Sequence, residues 1–372
     1  MTTRRTILGL LTGASVSGLA SGCASLPTRA AEQGPGRGPW RHAAPDAHGL
    51  DPAALAQAAD QLGAAGERQG LVVIRHGVLV YERYWENAFH RAEPTWRNVS
   101  FSSGKSWGSA MIGRACTEGL LKLDDLAGRY WSPARSGLKP ETTVRHLLTM
   151  SSGGTLNVKP SSRPPRRLGD GAPPGPGDEY VWQSQGEKGS PPGYGVSIPA
   201  GSTFYYDGAA ADHLANVVAG ASGMTSHAYM MQRLVAPLGC EAFNYQPEGI
   251  DSAGNIRLGG SIQLSCRDMA RLGQLFLNRG RWDGRQLIAA DYIDQALTPS
   301  PLNPDYGFLW WLNRTGRIAA APRSMSFAAG ARGQFCFVLP DQDMVVATMG
   351  FGAKALSADE AWAALARILP AG

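Results

Sequence analysis

The sequence is poor in charge and in cysteine, and it is almost free of long apolar runs. Only 17% of its 372 residues are charged. Arg4, Arg5 and Arg29 supply three of the five net positive charges, and no acid precedes Glu32, so the body carries only about +2. So weak a balance argues against a nucleic-acid partner. No stretch of the body approaches the ~20 consecutive apolar residues that a membrane-spanning helix needs. Four cysteines follow residue 23 (Cys116, Cys240, Cys266 and Cys336) without a C-x-x-C pair, and the histidines form no cluster at metal-ligand spacing. No metal site is expected. The four thiols read as buried and free, although export would permit a disulfide. There is no internal repeat.

With 43% hydrophobic residues the chain has ample material for a core, so a globular body is expected, not a disordered one. Its start is different in kind. Thr3-Arg4-Arg5, a mildly apolar run from Ile7 to Ala20, and Ser21-Gly22-Cys23 are similar to a twin-arginine export signal ending in an imperfect lipobox. Residues 1–23 are therefore read as an export signal, placing the protein in the periplasm or cell envelope. Cys23 is the candidate lipid-attachment site, and signal-peptidase cleavage near Ala24 is the alternative. Residues 24–48, rich in Pro, Gly, Ala and Arg without periodicity, are read as a flexible linker, and residues 49–372 as the folded domain.

Within that domain, Leu71–Ile74 and Val78–Trp85 flank Arg75-His76-Gly77 and predict a two-stranded antiparallel hairpin. Gln334–Leu339 and Met344–Gly350, around Pro340-Asp341-Gln342-Asp343, predict a second. Helical spacing is found in Ala53–Leu62 and in Asp359–Leu369. Strands at both ends of the chain around a helical middle point to an α+β fold: an antiparallel sheet with a helical insert. Between Gly153 and Gly201 the chain turns Pro/Gly-rich, which predicts a long loop, either a binding loop or a disordered insert at about 154–200. Its Tyr180, Trp182 and Tyr194 either line a pocket or pack on the body.

Phe101-Ser102-Ser103-Gly104-Lys105-Ser106-Trp107-Gly108 fits three motifs, which exclude one another. A phosphate-binding loop would need glycine five residues before Gly104, where Val99 stands. The G-x-S-x-G of Gly104–Gly108 would make Ser106 a nucleophile elbow, but that fold needs a buried strand before it and a late histidine, and the last histidine is His227. The S-x-x-K of Ser102 and Lys105 places both side chains on one face at a helix start. Such a lysine can take the serine proton if desolvation or nearby cations favour its neutral form, and the helix N-terminus offers N–H groups to an oxyanion. Taken alone, the motif is also compatible with a capping serine beside a solvated lysine.

Its surroundings carry a resemblance. Val99–Gly108, Glu118–Asp125, Thr143–Gly153, Pro199–Tyr206, Ala236–Gly239, Arg267–Gly273 and Gly330–Phe335, in that order, resemble the β-lactamase-related serine hydrolases: class C β-lactamases, D-Ala-D-Ala peptidases, family VIII esterases and 6-aminohexanoate-dimer hydrolases. The resemblance implies a serine β-lactamase/penicillin-binding-protein-like fold, an antiparallel β-sheet flanked by helices plus a mostly helical subdomain, with no cofactor. It also implies a nucleophilic Ser102, a proton-accepting Lys105, and Tyr206 as the tyrosine of a Y-x-N element, with Tyr205 the alternative register. The oxyanion hole would be the N–H groups of Ser102 and the strand residue Ala331.

Two departures stand out. Gly208 replaces the Asn of Y-x-N, with Asp207 beside it a candidate substitute contact. Ala328-Ala329-Gly330 replaces Lys/His-Thr-Gly, so the cation that grips a substrate carboxylate is absent from that substrate-binding edge; Arg332 would return a charge only if it faced the cleft. Leu123-Asp124-Asp125 and Arg267-Asp268 read as structural. Tyr306–Trp311 reads as a buried aromatic strand. The expected function is hydrolysis of a small-molecule ester or amide through a Ser102 acyl-enzyme. A catalytically silent envelope binding protein and a β-lactamase or D-Ala-D-Ala peptidase remain the alternatives.

Overall fold

The computed structural model describes residues 34–88, 91–132, 136–155, 194–195, 197–350 and 356–370. The export signal, Cys23, and most of the Pro/Gly-rich insert with Tyr180 and Trp182 lie outside the described residues.

Both predicted hairpins form. β1 (Arg68–Arg75) and β2 (Val78–Tyr84) join through His76 and Gly77, both left-handed (φ 50° and 71°), the backbone that a two-residue hairpin turn demands. β10 (Gln334–Leu339) and β11 (Met344–Gly350) join through a 3-10 turn closed by Asp343 at φ 45°. With β9 (Ser326–Gly330) and the short β8 (Trp311–Leu312) they make a six-stranded antiparallel sheet ordered β2-β1-β11-β10-β9-β8. The middle strands are apolar on both sides because both faces are covered. Leu71, Val73, Phe335, Phe337 and Val346 meet α1 (Pro52–Ala65) and, near the other end of the chain, a helix at Ala358–Leu365. Val72, Ile74, Cys336, Val338, Val345 and Ala347 meet the opposite core, which contains Met269, Leu272 and Phe276 of a helix at Cys266–Leu277.

Local signals explain the helix limits. Asp51 caps α1 by accepting from Ala53 N at 2.8 Å, with Pro52 in the first helical position. Ser357 and Glu360 form a reciprocal capping box on the last α-helix, which seats Trp362 against Phe337 (centroids 5.1 Å). The middle of the chain supplies α2 (Lys105–Thr117), α3 (Val144–Leu148) and α4 (Gly208–Ser222). Trp107, Met111, Ile112 and Ala115 of α2 share one core with Ala211, Leu214, Ala215 and Val218 of α4. Short strands β3 (Asn98–Val99), β4 (Asn244–Tyr245) and β5 (Ile262–Leu264) form a small second sheet, ordered β3-β5-β4, next to the start of α2, and β6 (Arg281–Trp282) pairs with β7 (Arg285–Gln286) in a separate hairpin. The whole is the α+β arrangement expected, a serine β-lactamase/penicillin-binding-protein-like fold.

Two sequence expectations need correction. Residues 34–48 are not linker: Arg271, fully buried, donates to Gly36 O (3.1 Å) and Gly38 O (2.8 Å), its guanidinium lies over the Trp40 ring, and Trp40 is buried. Burying that guanidinium requires acceptors, and this segment provides them. Tyr306–Trp311 is not a continuous strand either. The chain reverses at Leu309 (φ 57°), so that Tyr306 bridges Trp311 antiparallel. The acidic turns do structural work, as read: Asp124 takes both arms of Arg145 (2.7 and 3.0 Å), and Asp268 accepts from Glu241 N and Ala242 N. Cys116, Cys240, Cys266 and Cys336 are free thiols. Among the described residues no helix is long and apolar enough to cross a membrane.

Candidate active site

Ser102 sits in a 3-10 turn, Phe101–Gly104, that runs directly into α2. In a 3-10 turn the side chains at i and i+3 eclipse one another, so Ser102 and Lys105 are brought face to face by local geometry. Lys105 Nζ donates to Ser102 Oγ at 2.9 Å. It also donates to Gly259 O at 2.7 Å, and the lysine is only 3% exposed, whereas Ser102 stays half-open. A capping serine beside a solvated lysine does not describe this pair. Phe101, just before it, is forced into left-handed backbone (φ 47°), strain of the kind that tertiary packing must hold.

Ser106 is a different matter. It is 1% exposed and donates to Leu309 O at 2.7 Å from inside α2, so it stands on no exposed strand-to-helix elbow. The two tyrosines also separate. Tyr206 faces Lys105, whose Nζ lies 5.2 Å from its ring centroid, and it stacks on Trp311 at 5.5 Å with Tyr306 edge-on at 6.0 Å. Tyr205 packs against Tyr194 at 4.5 Å. The pair around Lys105 is thus Ser102 and Tyr206, and Tyr194 packs on the body.

The edge strand meets the nucleophile turn closely. A Cβ on Gly330 would fall 2.2 Å from Ser100 O and 2.9 Å from Ser103 N, so only glycine lets β9 ride against the Ser102 turn. Ala331 is not in the strand: β9 ends at Gly330, and Ala331, exposed, opens the 331–333 turn in which Arg332 and Gly333 take φ 61° and 78°. The backbone has to reverse there to enter β10. A buried polar group holds this turn from beneath. Arg68 donates to Gly333 O and Thr348 Oγ1, both at 2.7 Å, Gln334 bonds the backbone of Gly350 in both directions, and Asn98 donates to Gly350 O at 2.8 Å. Burial pulls the Arg68 guanidinium down to about 10.

The substrate-binding candidates fare unequally. Asp207 is engaged within the protein: it caps α4, its Oδ1 accepting from Ala209 N and its Oδ2 from Tyr194 OH, both at 2.9 Å, with 7% exposure. A helix N-terminus needs an acceptor, and Asp207 supplies it. Ala328 is buried in the core on the Cys336 side, so it does not reach the surface; Ala329 is half-buried on the opposite face. Gly208 is exposed, and a Cβ there would meet nothing within 4 Å. Arg332 lies over the Phe101 ring at 5.7 Å.

Two residues absent from the sequence reading belong to the site. Gly259 gives Lys105 its carbonyl, and Asp212 of α4 accepts from Gly259 N at 2.8 Å. Burial pushes the Asp212 carboxyl up to about 6, against the pull of Gly259 N–H, Lys105 and Arg257. The one signal in the sequence was an acid following three alanines, in a helix otherwise mostly apolar. Among the described residues no cluster is suited to a metal ion.

A sheet-and-helix fold with a serine and a buried lysine at its seam defines a class, the serine hydrolases of β-lactamase type. The chain belongs to the Beta-lactamase family, whose sequence profile matches residues 55–369. Members of this family are generally serine hydrolases, and some are catalytically inactive. Solved structures agree on the fold. A proposed 6-aminohexanoate-dimer hydrolase from Bacillus anthracis is 19% identical with a TM-score of 0.60, over 83% of this chain and 79% of that one. A penicillin-binding protein from Bacillus halodurans is 17% identical (TM-score 0.61; 83% and 98% covered). EstCE1, described as a hydrolase with promiscuous acyltransferase activity, is 14% identical (TM-score 0.62; 86% and 100% covered). No curated protein matches the sequence.

Proposed function

We propose that the protein is an exported serine hydrolase that cleaves small esters or amides through a Ser102 acyl-enzyme. The observation that carries this reading is the buried Lys105 Nζ, 2.9 Å from Ser102 Oγ and anchored by Gly259 O. Lys105 takes the Ser102 proton as Oγ attacks the carbonyl, and the N–H groups of Ser102 and Ala331 receive the oxyanion. Tyr206, over Lys105, relays a proton to the leaving group, and water then releases the acyl chain.

Esters rank above β-lactams because no polar side chain stands at 328–330 and Gly208 leaves open space. Tyr206 and Trp311 offer instead a stacked aromatic wall suited to an apolar group. The twin-arginine-like start supports export to the periplasm or envelope, with Cys23 as the possible anchor.

The test is labelling of the mature protein with a fluorophosphonate probe in wild type, Ser102→Ala and Ser106→Ala, followed by p-nitrophenyl ester turnover. Labelling lost in Ser102→Ala alone, with ester turnover in wild type, is the expected result. Labelling lost only in Ser106→Ala, or penicillin turnover without ester cleavage, overturns the reading. Labelling without turnover, or none at all, favours the silent binding protein.

A further inference from the structure

Lys105 is held by the backbone carbonyl of Gly259, which is supplied from far along the chain. What holds Gly259 is a carboxylate. Asp212 projects from the second turn of α4 and accepts from Gly259 N at 2.8 Å. The packing there leaves no slack: a Cβ on Gly259 would lie 3.3 Å from both Asp212 Oδ1 and Gly208 O. The chain of contacts therefore runs from the Asp212 carboxylate through Gly259 N–H, the Gly259 carbonyl and Lys105 Nζ to Ser102 Oγ.

We infer that Asp212 is a positioning residue for Lys105, which fixes the carbonyl that takes one of the lysine's protons and turns a negative charge toward the ammonium. The inference rests on the Ser102–Lys105 reading above and deepens it. The neutral amine that accepts the Ser102 proton has two protons and one lone pair to place, and a proton held on Gly259 O restricts where the lone pair can point, leaving it free to face Ser102 Oγ. A fixed acceptor at Gly259 selects that arrangement before substrate arrives, which is how a remote contact contributes to rate.

Charge matters as well as geometry. The groups facing the carboxylate are Lys105 from α2, Arg257 from the segment leading to β5, and Asp207 at the cap of its own helix. Lys105 is faced in turn by Ser102, Tyr206 and the Gly259 carbonyl. An ionised Asp212 is a stronger acceptor for Gly259 N–H than the neutral acid, so it holds the Gly259 carbonyl, and through it Lys105, more firmly. Because burial pushes the Asp212 carboxyl up to about 6, that charge is switched within the range where the enzyme can be assayed.

The experiment compares wild type, Asp212→Asn, Asp212→Ala and Lys105→Ala as mature proteins. It follows fluorophosphonate labelling rate and p-nitrophenyl acetate turnover from pH 5 to 9, beside thermal unfolding. Asp212→Ala should lower kcat about 100-fold with a smaller change in KM. Asp212→Asn keeps an oxygen for Gly259 N–H, so it should recover most of kcat while losing the part of the profile that rises through pH 6 as Asp212 ionises. A rise through pH 6 that persists in Asp212→Asn overturns the charge role. Kinetics in both Asp212 variants equal to wild type, or losses that only track unfolding, overturn the inference, and Asp212→Asn alone decides if the alanine variant does not fold. Lys105→Ala reports separately: full labelling in it removes the Ser–Lys reading itself, whereas a dead Lys105→Ala beside indifferent Asp212 variants removes only Asp212.

Discussion

The two walls of the cleft are built to different standards. On the nucleophile side the polar groups around Ser102 have specific partners: Lys105 has Ser102 Oγ and Gly259 O, Gly259 N has Asp212, and Ser106 has Leu309 O. On the recognition side the side chains have been removed: Gly208 opens on empty space, Ala328 is buried, and Asp207 is spent on a helix cap. The difference teaches that proton-transfer machinery and substrate grip are separable. The first needs a dry, over-determined lysine, because only desolvation and fixed acceptors keep it aimed. The second is a set of surface side chains whose loss leaves the fold intact.

The largest effect that would break the comparison lies on the nucleophile side. Lys105→Ala should lower turnover and fluorophosphonate labelling by about 1,000-fold or more, since Ser102 then has no base. A loss under tenfold would place the base elsewhere. Gly330→Ala tests the shared seam: its methyl would meet Ser100 O at 2.2 Å, so it should cost about 2–3 kcal/mol in denaturant unfolding and abolish labelling. Normal labelling would mean that β9 can retreat without moving the Ser102 turn.

A pH experiment reaches the helix behind both walls. His213, buried with no hydrogen bond to Nε2, is pulled by burial from its ordinary 6.5 down to about 4. Its neutral form is favoured on folding, so its contribution is complete above pH 6.5 and is lost as pH falls toward 4. Asp212 beside it is raised from 3.8 to about 6 and has the opposite slope, losing stability as pH rises through that window. His213→Gln should remove the first slope, leaving the variant less sensitive to acid than wild type by on the order of 2 kcal/mol at pH 4.5 relative to pH 7. Parallel stability–pH curves for the two proteins would exclude it.

The smallest effects sharpen the recognition side. Gly208→Asn has open space to enter, so it should change stability by less than about 1 kcal/mol while altering KM for amide substrates more than for p-nitrophenyl esters. An equal effect on both would mean that this corner does not touch the acyl group. Finally, reductant should shift the melting temperature of the body by less than about 1 °C, since Cys116, Cys240, Cys266 and Cys336 form no disulfide. A larger shift would reveal a pairing in solution.

The sequence by itself determined whatever depends on neighbours along the chain. The two hairpins were legible from alternating apolar residues around turn-forming residues, the outer helices from their spacing, and the Ser102–Lys105 pair from three residues of separation, because these are short-range consequences of backbone geometry. Collinear motifs then placed Tyr206 near that pair. Tertiary structure alone decided whether the pair could work. The Gly259 carbonyl and the Asp212 carboxylate reach the site from 154 residues after Lys105 and from 47 residues before Gly259. The choice of Tyr206 over Tyr205, the capping role of Asp207 and the packing of residues 36–40 around Arg271 were likewise invisible. In each, a polar group's role depends on which partner waits at its tip once the chain is folded, and no spacing rule reports on partners so far apart in the chain.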